Sequence, residues 1–382
     1  MNNETAIHLL TQLLQIPTVA QDETKIADIL ESLVQPYVAQ GLMTTERINF
    51  APGRDNLLIK LGQDSASRRL GIDAHMDVVD AGDPAKWQFP PFSATEHDGK
   101  LYARGASDMK SGLVAAFAAF LNVAQSGKLG DRQLVFFATV GEEVDNYGAR
   151  QFAAGHYADG LNGLLVCEPS GPQIQPSCRG IIDYTVTATG KAAHSSTPEE
   201  GANAINGLFA YNEAVTKTIA PLLAPVHEML GHATHSIDLI SGGNQVNIVP
   251  EQASLRGNIR TTPLADNAAF TTALHDAVAT ANQMVPGVKL TLSVDSTIDP
   301  AASDKDNALV QALQQARTSL GMPTVPVVGG TGINDAAVMA LPGMDLAEYG
   351  PGSDTSHQTD EYVVIADFLN AIQVYETVFT NY

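Results

Sequence analysis

The sequence predicts an α/β protein: a mainly parallel, twisted sheet flanked by helices and interrupted by a smaller inserted domain. Three observations carry that expectation. Short apolar segments alternate with stretches of helical periodicity through residues 1–179 and again near the end, the order that builds parallel strands joined by crossover helices. Between about residues 180 and 296 the order changes to strand, helix, strand, strand, helix, strand, that of a self-contained ferredoxin-like β-α-β-β-α-β module. A chain of 382 residues, 44% hydrophobic and only 16% charged, also has enough material for two packed cores. The expected division is an outer domain of residues 1–179 and 297–382 and an insert of residues 180–296.

Taken in order, Ile7, Leu10 and Leu14 recur at helical spacing and Pro17 stops the pattern, so a helix opens the chain over 4–14. Apolar segments at 56–61, 70–79, 134–140 and 164–167 read as strands, with a long Ala-rich helix over 109–125. The insert supplies strands at 181–189, 236–241, 253–260 and 289–294 and helices at 201–218 and 268–283. A helix over 306–320, the turn Gly329-Gly330-Thr331-Gly332 and a last helix over 362–379 complete the outer domain.

Charge and hydropathy exclude several classes of function. Lys and Arg number 21 against 42 Asp and Glu, giving a net charge of −21, and a field of that sign repels phosphate backbones. Nucleic acid is therefore not expected as a partner. The longest apolar run, 113–123, falls short of the roughly 20 residues a membrane span needs. Met1-Asn2-Asn3-Glu4 lacks the basic and then apolar layout of a secretory signal, so a cytoplasmic location is expected. Cys167 and Cys178 are too few for a disulfide framework and read as reduced packing residues. Most of the acidic surplus reads as a solvated surface, and a few of the carboxylates are candidates for holding cations.

Alternation along 70–79 puts Asp73, His75 and Asp77 on one face, and a His beside a carboxylate suits a metal ligand with a partner that sets its tautomer. Asp108 lies in a turn feeding the Ala-rich helix and by itself reads as an N-cap. Glu142 and Glu143 sit at the mouth of an apolar strand, where adjacent carboxylates repel unless a cation or a shared proton compensates them. Glu168 ends another apolar strand, and His357 lies in a Gly-rich loop ahead of the last helix. Their coincidence matters more than any one of them: they fall just beyond strand ends or in the loops that follow, and in an open α/β sheet the carboxyl edge is where ligands bind. Imidazole with several carboxylates suits zinc, cobalt or manganese, as one ion or as two about 3.5–4 Å apart.

The motifs Ala74-His75-Met76-Asp77-Val78-Val79, Ala103-Arg104-Gly105-Ala106-Ser107-Asp108-Met109-Lys110, Gly141-Glu142-Glu143 and Cys167-Glu168-Pro169, with His357 beyond them, resemble those of the M20 metallopeptidase family. That group includes acetylornithine deacetylase, succinyl-diaminopimelate desuccinylase, aminoacylase and carboxypeptidase G. The resemblance covers nearly the whole chain and implies a zinc-peptidase-like catalytic domain with a dimerisation and lid domain inserted. It further implies two divalent ions, zinc foremost, with Asp108 bridging, His75 and Glu168 on one ion, and Glu143 and His357 on the other. Asp77 would orient His75, Glu142 would be the general base, and the peptide after Asp108 would be cis. A Glu at position 168 looks like the deacetylase and desuccinylase branch.

In the insert, His194 within Lys191-Ala192-Ala193-His194-Ser195-Ser196-Thr197-Pro198 looks like the histidine that reaches a partner's site in a homodimer and stabilises the oxyanion. Arg179, Asn247 and Arg260 match positions that hold substrate carboxylates in similar enzymes, and Gly330, Thr331 and Gly332 match a substrate-contacting loop, although Gly-Gly-Thr-Gly-Ile-Asn-Asp departs from the usual pattern. The resemblance therefore implies a metal-dependent amidohydrolase that takes a small acyl group from an N-acyl amino acid. Desuccinylation in lysine biosynthesis and deacetylation in arginine biosynthesis are the leading candidates, and a dipeptidase or aminopeptidase is the alternative. A non-catalytic binding protein on the same fold would be expected to lack a ligand or the base, and none is missing.

Overall fold

The computed structural model describes all residues, 1–382, and they divide into two compact units. The first comprises Met1–Ser177, Ala302–Gly329 and Asn334–Tyr382, the second Cys178–Ala301 and Gly330–Ile333. Gly330 and Thr331 thus group with the second unit, whereas the sequence reading put them in the outer domain. The first unit begins with α1 (Asn3–Leu14), α2 (Glu23–Ala39), β1 (Met43–Ala51), β2 (Arg54–Leu61), β3 (Arg68–His75), α3 (Lys110–Ser126), β4 (Arg132–Thr139), α4 (Glu142–Asp145), α5 (Tyr147–Ala154) and β5 (Gly163–Val166). The second holds β6 (Gly180–Thr189), α6 (Ala204–Leu223), β7 (Thr234–Gly242), β8 (Gln252–Thr261), α7 (Asn267–Met284) and β9 (Lys289–Ile298). The chain returns to the first unit with α8 (Ala308–Ser319), β10 (Asp345–Glu348) and α9 (Ile365–Asn381).

The sheet of the first unit runs β1-β2-β4-β3-β5-β10. From β4 through β3 and β5 to β10 every pairing is parallel, while β2 runs antiparallel to both of its neighbours. The parallel strands bury both faces, which is why they read as continuous apolar runs. Helix α3 is apolar around its circumference because it too is enclosed, and nearly every residue from Lys110 to Val123 is buried. Phe136 of β4 meets Phe117 and Phe120 of α3 edge-on, with ring centroids 5.9 and 5.8 Å apart. Gly112 permits the close approach of α3 to the strand-end loop, since a Cβ there would stand 1.9 Å from the Cys167 carbonyl oxygen.

The second unit is an antiparallel sheet, β7-β8-β6-β9, with one face under α6 and α7. Along β6, Ile182, Tyr184, Val186 and Ala188 alternate inward with a period of two. The edge strand β7 leaves Leu239 and Ile240 exposed.

Three features depart from the sequence reading. Helix α2 and strand β1 are absent from that reading, although Ile26, Ile29, Leu30, Leu33 and Val34 recur at helical spacing, and α2 closes over β2 with Ile26, Ala27, Leu30 and Val34 fully buried. The last helix starts at Ile365, because Tyr362–Val364 pair as a short strand with Lys100–Tyr102. Strand β3 stops at His75, so strand alternation does not place Asp77. No helix is long and apolar enough to cross a membrane.

Candidate active site

The parallel register of β3, β4 and β5 brings three strand ends to one edge, and the first unit builds its polar cluster there. His75 is the last residue of β3, Glu142 and Glu143 open α4 just after β4, and Glu168 follows β5 by two residues. Asp108 ends the loop before α3, and its peptide bond to Met109 is cis. The N-cap reading of Asp108 does not hold, since the cap position is Met109 and no side chain fills it. The carboxylate of Asp108 turns instead toward two imidazoles. His75 Nε2 lies 3.2 Å from Asp108 Oδ1 and 3.4 Å from Glu168 Oε1. On the other side, His357 Nε2 lies 3.4 Å from Asp108 Oδ2 and 2.9 Å from Glu143 Oε2. One carboxylate therefore divides its two oxygens between two His–Glu pairs.

Asp77 is fully buried beside His75. The nearest partner of His75 Nδ1 is the backbone carbonyl of Asp77 at 3.0 Å, and the carboxylate stands back at 3.7 Å. The carboxylate accepts the backbone N–H groups of Glu142 and Glu143 at 3.2 Å each, so Asp77 ties the β3 end to the turn that presents both glutamates. Glu142 diverges from Glu143: its Oε1 accepts from Asn146 Nδ2 at 3.3 Å. Asn146 Nδ2 also donates to Asp335 Oδ1 at 2.9 Å, and Thr139 donates to Asp335 Oδ2 at 2.7 Å.

Electrostatics mark the cluster as short of positive charge. Burial, then neighbouring charge that includes Glu168, Asp335 and Glu143, pushes Glu142 well above the usual carboxylate range despite the opposing effect of His75. Burial and the Asp108 charge do the same to Glu168. Burial alone would lower the His75 pKa, yet the Glu168 charge and the Asp108 hydrogen bond hold it well above 6.5. Asp108 itself is held low, because its hydrogen bonds with His357 and His75 outweigh burial. Glu143 Oε1 is buried with no hydrogen-bond partner. Atoms of His75, Asp108 and Glu143, and of His75, Glu142 and Glu168, lie within 4.8 Å of one another. Two imidazole nitrogens, a shared carboxylate and a buried unsatisfied oxygen fit a pair of divalent cations of the zinc, cobalt or manganese type.

Glu361 is the supporting residue that sequence reading missed most completely. It lies just ahead of the last helix and is fully buried, with Oε1 accepting from the backbone N–H of Ser107 at 2.8 Å and of Asp108 at 2.9 Å. Its Oε2 accepts from Arg104 Nη1, and the Arg104 guanidinium lies over the Trp87 ring. Lys110 is also fully buried and donates to the carbonyls of Leu13 and Ile16 at 3.1 and 2.7 Å, and burial lowers its pKa to about 7. Neither residue has a signal in the sequence beyond its position beside a motif.

The remaining candidates belong to the second unit. His194 is exposed, with Nδ1 2.7 Å from Ser196 Oγ. Arg179 donates to the backbone carbonyls of His232 and Leu230. Asn247 is exposed and accepts Ser195 N–H at its carbonyl, and Arg260 is half-buried on β8. Thr331 is exposed and Gly330 buried.

An open α/β sheet with this cluster at the carboxyl edge of its strands has the layout of a metal-dependent hydrolase. The profile of peptidase family M20/M25/M40 matches residues 71–381, and the chain belongs to that family. A protein of Staphylococcus epidermidis described as a probable succinyl-diaminopimelate desuccinylase is 32% identical, the match covering 100% of this chain and 98% of the relative. Among solved structures, aminopeptidase PepT from Bacillus cereus superposes with a TM-score of 0.78 at 20% identity, covering 100% of this chain and 98% of that one. A Bacillus subtilis protein described as a dinuclear metal binding peptidase of the M20 family gives a TM-score of 0.73 at 15% identity, covering 99% and 97%.

Proposed function

We propose that this chain is a cytoplasmic desuccinylase of lysine biosynthesis, hydrolysing the amide bond between a succinyl group and diaminopimelate. The observation that carries amide hydrolysis is the Asp108 carboxylate divided between the His75–Glu168 and His357–Glu143 pairs. The full-length likeness to a probable desuccinylase supports the choice of acyl group over the acetyl group of acetylornithine.

His75 and Glu168 would hold one divalent ion and Glu143 and His357 the other, with Asp108 between them and zinc the metal this donor set suits best. When bound, such a pair lowers the pKa of water and polarises an amide carbonyl. Glu142 takes the proton of the attacking water and returns it to the leaving amine. It serves as the base because Asn146 Nδ2 draws its carboxylate away from Glu143. Asp77 keeps the two glutamates in register through their backbone N–H groups.

The second unit we assign to dimerisation and substrate recognition. Its exposed Phe209, Leu239 and Ile240 favour a homodimer through α6 and β7, and His194 of that unit would stabilise the oxyanion in the partner's site. Arg260 forms no ion pair and is the cation we assign to the succinyl carboxylate, with Asn247, Gly330 and Thr331 as further contacts. Arg179 would first have to release the carbonyls it now holds.

The test is a side-by-side assay of the zinc-loaded protein on N-succinyl-diaminopimelate, N-acetylornithine and several dipeptides. Preferential turnover of the succinyl substrate is expected. Turnover of none of them by metal-loaded protein would refute the reading, and preference for acetylornithine or a dipeptide would overturn the choice of substrate.

A further inference from the structure

Neither the proposed metal ligands nor Glu142 lines a cavity of the first unit, about 340 Å³ in volume, bordered by α8, α9 and the Tyr349–Gly352 strip. Its polar groups are of both signs. Arg317 in the last turn of α8 donates through Nε to the Pro323 carbonyl at 2.9 Å and through Nη1 to the Tyr349 hydroxyl at 2.7 Å, and Nη2 makes no hydrogen bond or ion pair. From α9 come Asp367 and Asn370, three residues apart and so on one face, and neither side chain has a partner within the protein. Met322 and Pro323 supply an apolar wall beside the Tyr349 ring.

Each group has an ordinary structural reason to be present. Arg317 braces Tyr349, and an acid in the first turn of a helix complements the helix dipole. Those reasons account for Nε, Nη1 and Asp367 separately, but not for a concave space lined at once by a spare guanidinium N–H, an exposed carboxylate and an exposed amide. A simple anion entering it would meet Asp367, and a simple cation would meet Arg317. A ligand carrying both charges on one small carbon frame satisfies both ends, and the volume lies at the small-molecule end of the usual range for ligand sites.

We propose that this cavity binds a small zwitterionic α-amino acid. Its carboxylate sits on Arg317, its ammonium on Asp367 with Asn370 beside it, and a short apolar side chain rests against Met322 and Pro323. The site is independent of the catalytic reading above.

The experiment is calorimetric titration of the metal-loaded, full-length protein with L-valine, with isobutyrate (which lacks the ammonium) and with isobutylamine (which lacks the carboxylate). Saturable binding of L-valine is expected, with each single-charge analogue at least roughly tenfold weaker, a change worth about 1.4 kcal/mol. Asp367→Asn, an exposed substitution that leaves the fold and the turnover of amide substrate unchanged, should weaken L-valine roughly tenfold. Arg317→Gln should weaken it as much or more, with thermal unfolding recorded to account for the lost brace on Tyr349. Absence of saturable binding up to about 10 mM, well past the weakest specific affinities, overturns the proposal. So do equal binding of isobutyrate, and L-valine binding that is the same in both variants as in the parent.

Discussion

Replacing Glu361 by Ala removes the one carboxylate that serves Ser107 N–H, Asp108 N–H and Arg104 at once. The cost can be worked from those contacts. Breaking a buried ion pair by deleting one partner costs about 3–5 kcal/mol, because the remaining charge stays buried and uncompensated. Arg104 is only 2% exposed, but it keeps the carbonyls of Gln358 at 3.1 Å and Asp80 at 3.3 Å, which argues for the lower end. Two orphaned backbone N–H groups add about 1–3 kcal/mol each unless water fills the space the side chain leaves. With water there, the net destabilisation is about 4 kcal/mol, a large share of the stability of an ordinary domain. Urea unfolding followed by fluorescence is well placed to measure it, because the single tryptophan, Trp87, has the Arg104 guanidinium 5.2 Å from its ring centroid. Glu361→Gln keeps an acceptor and should recover part of the loss. A Glu361→Ala protein within about 1 kcal/mol of the parent would refute the reasoning, since it would place these three donors among contacts that water replaces freely.

Glu142→Ala should bind metal as the parent does and lose about two to four orders of magnitude in turnover, and parental activity would remove Glu142 from the base role. His194→Ala should lower kcat by about two orders of magnitude with metal content unchanged, while an unchanged kcat would exclude the oxyanion role. Burial, aided by the Asp108 charge, raises the Glu348 pKa from 4.5 to about 7, so the folded protein keeps a proton there that the unfolded chain loses. Stability from this group is present below pH 4.5 and falls as pH rises toward 7, so urea midpoints of Glu348→Gln should decline less across that interval than those of the parent. Parallel pH profiles for the two proteins would contradict it.

The residues at strand ends were legible because two local signals coincide there: an apolar run fixes the strand, and an acid or imidazole just past it has nowhere apolar to go. That coincidence marks His75, Glu142, Glu143 and Glu168 as candidates, and the resemblance divides them into ligands and base. The supporting groups are not marked in this way. Asp335, Asn146 and Glu361 carry no periodicity that distinguishes them from surface polar residues, and Asp335 and Glu361 act through partners far along the chain. Asp73, with one buried oxygen lacking a partner, lies in the same position, since burial and the charge of Asp335 raise its pKa. Strand alternation does not place Asp77, because β3 ends at His75; Asp77 meets the imidazole through its backbone carbonyl at 3.0 Å, with its carboxylate at 3.7 Å. The antiparallel insert was the easier half, because its alternation is uninterrupted by a site.

The contact between Glu361 and the Asp108 backbone spans 253 residues of chain. It sets a time order on biosynthesis. A nascent chain carrying His75, Asp108, Glu143 and Glu168 has the β3–β4–β5 sheet in hand, yet the segment that secures the Asp108 loop and brings His357 is made only long after Glu168. At about 5–20 residues per second of synthesis, the cluster of buried carboxylates waits tens of seconds or less for its final members. Through that interval it is a partial, weaker chelator open to water. Metal acquisition is therefore expected to follow synthesis of the Glu361 segment, and a chain truncated before Glu361 should emerge without its metals.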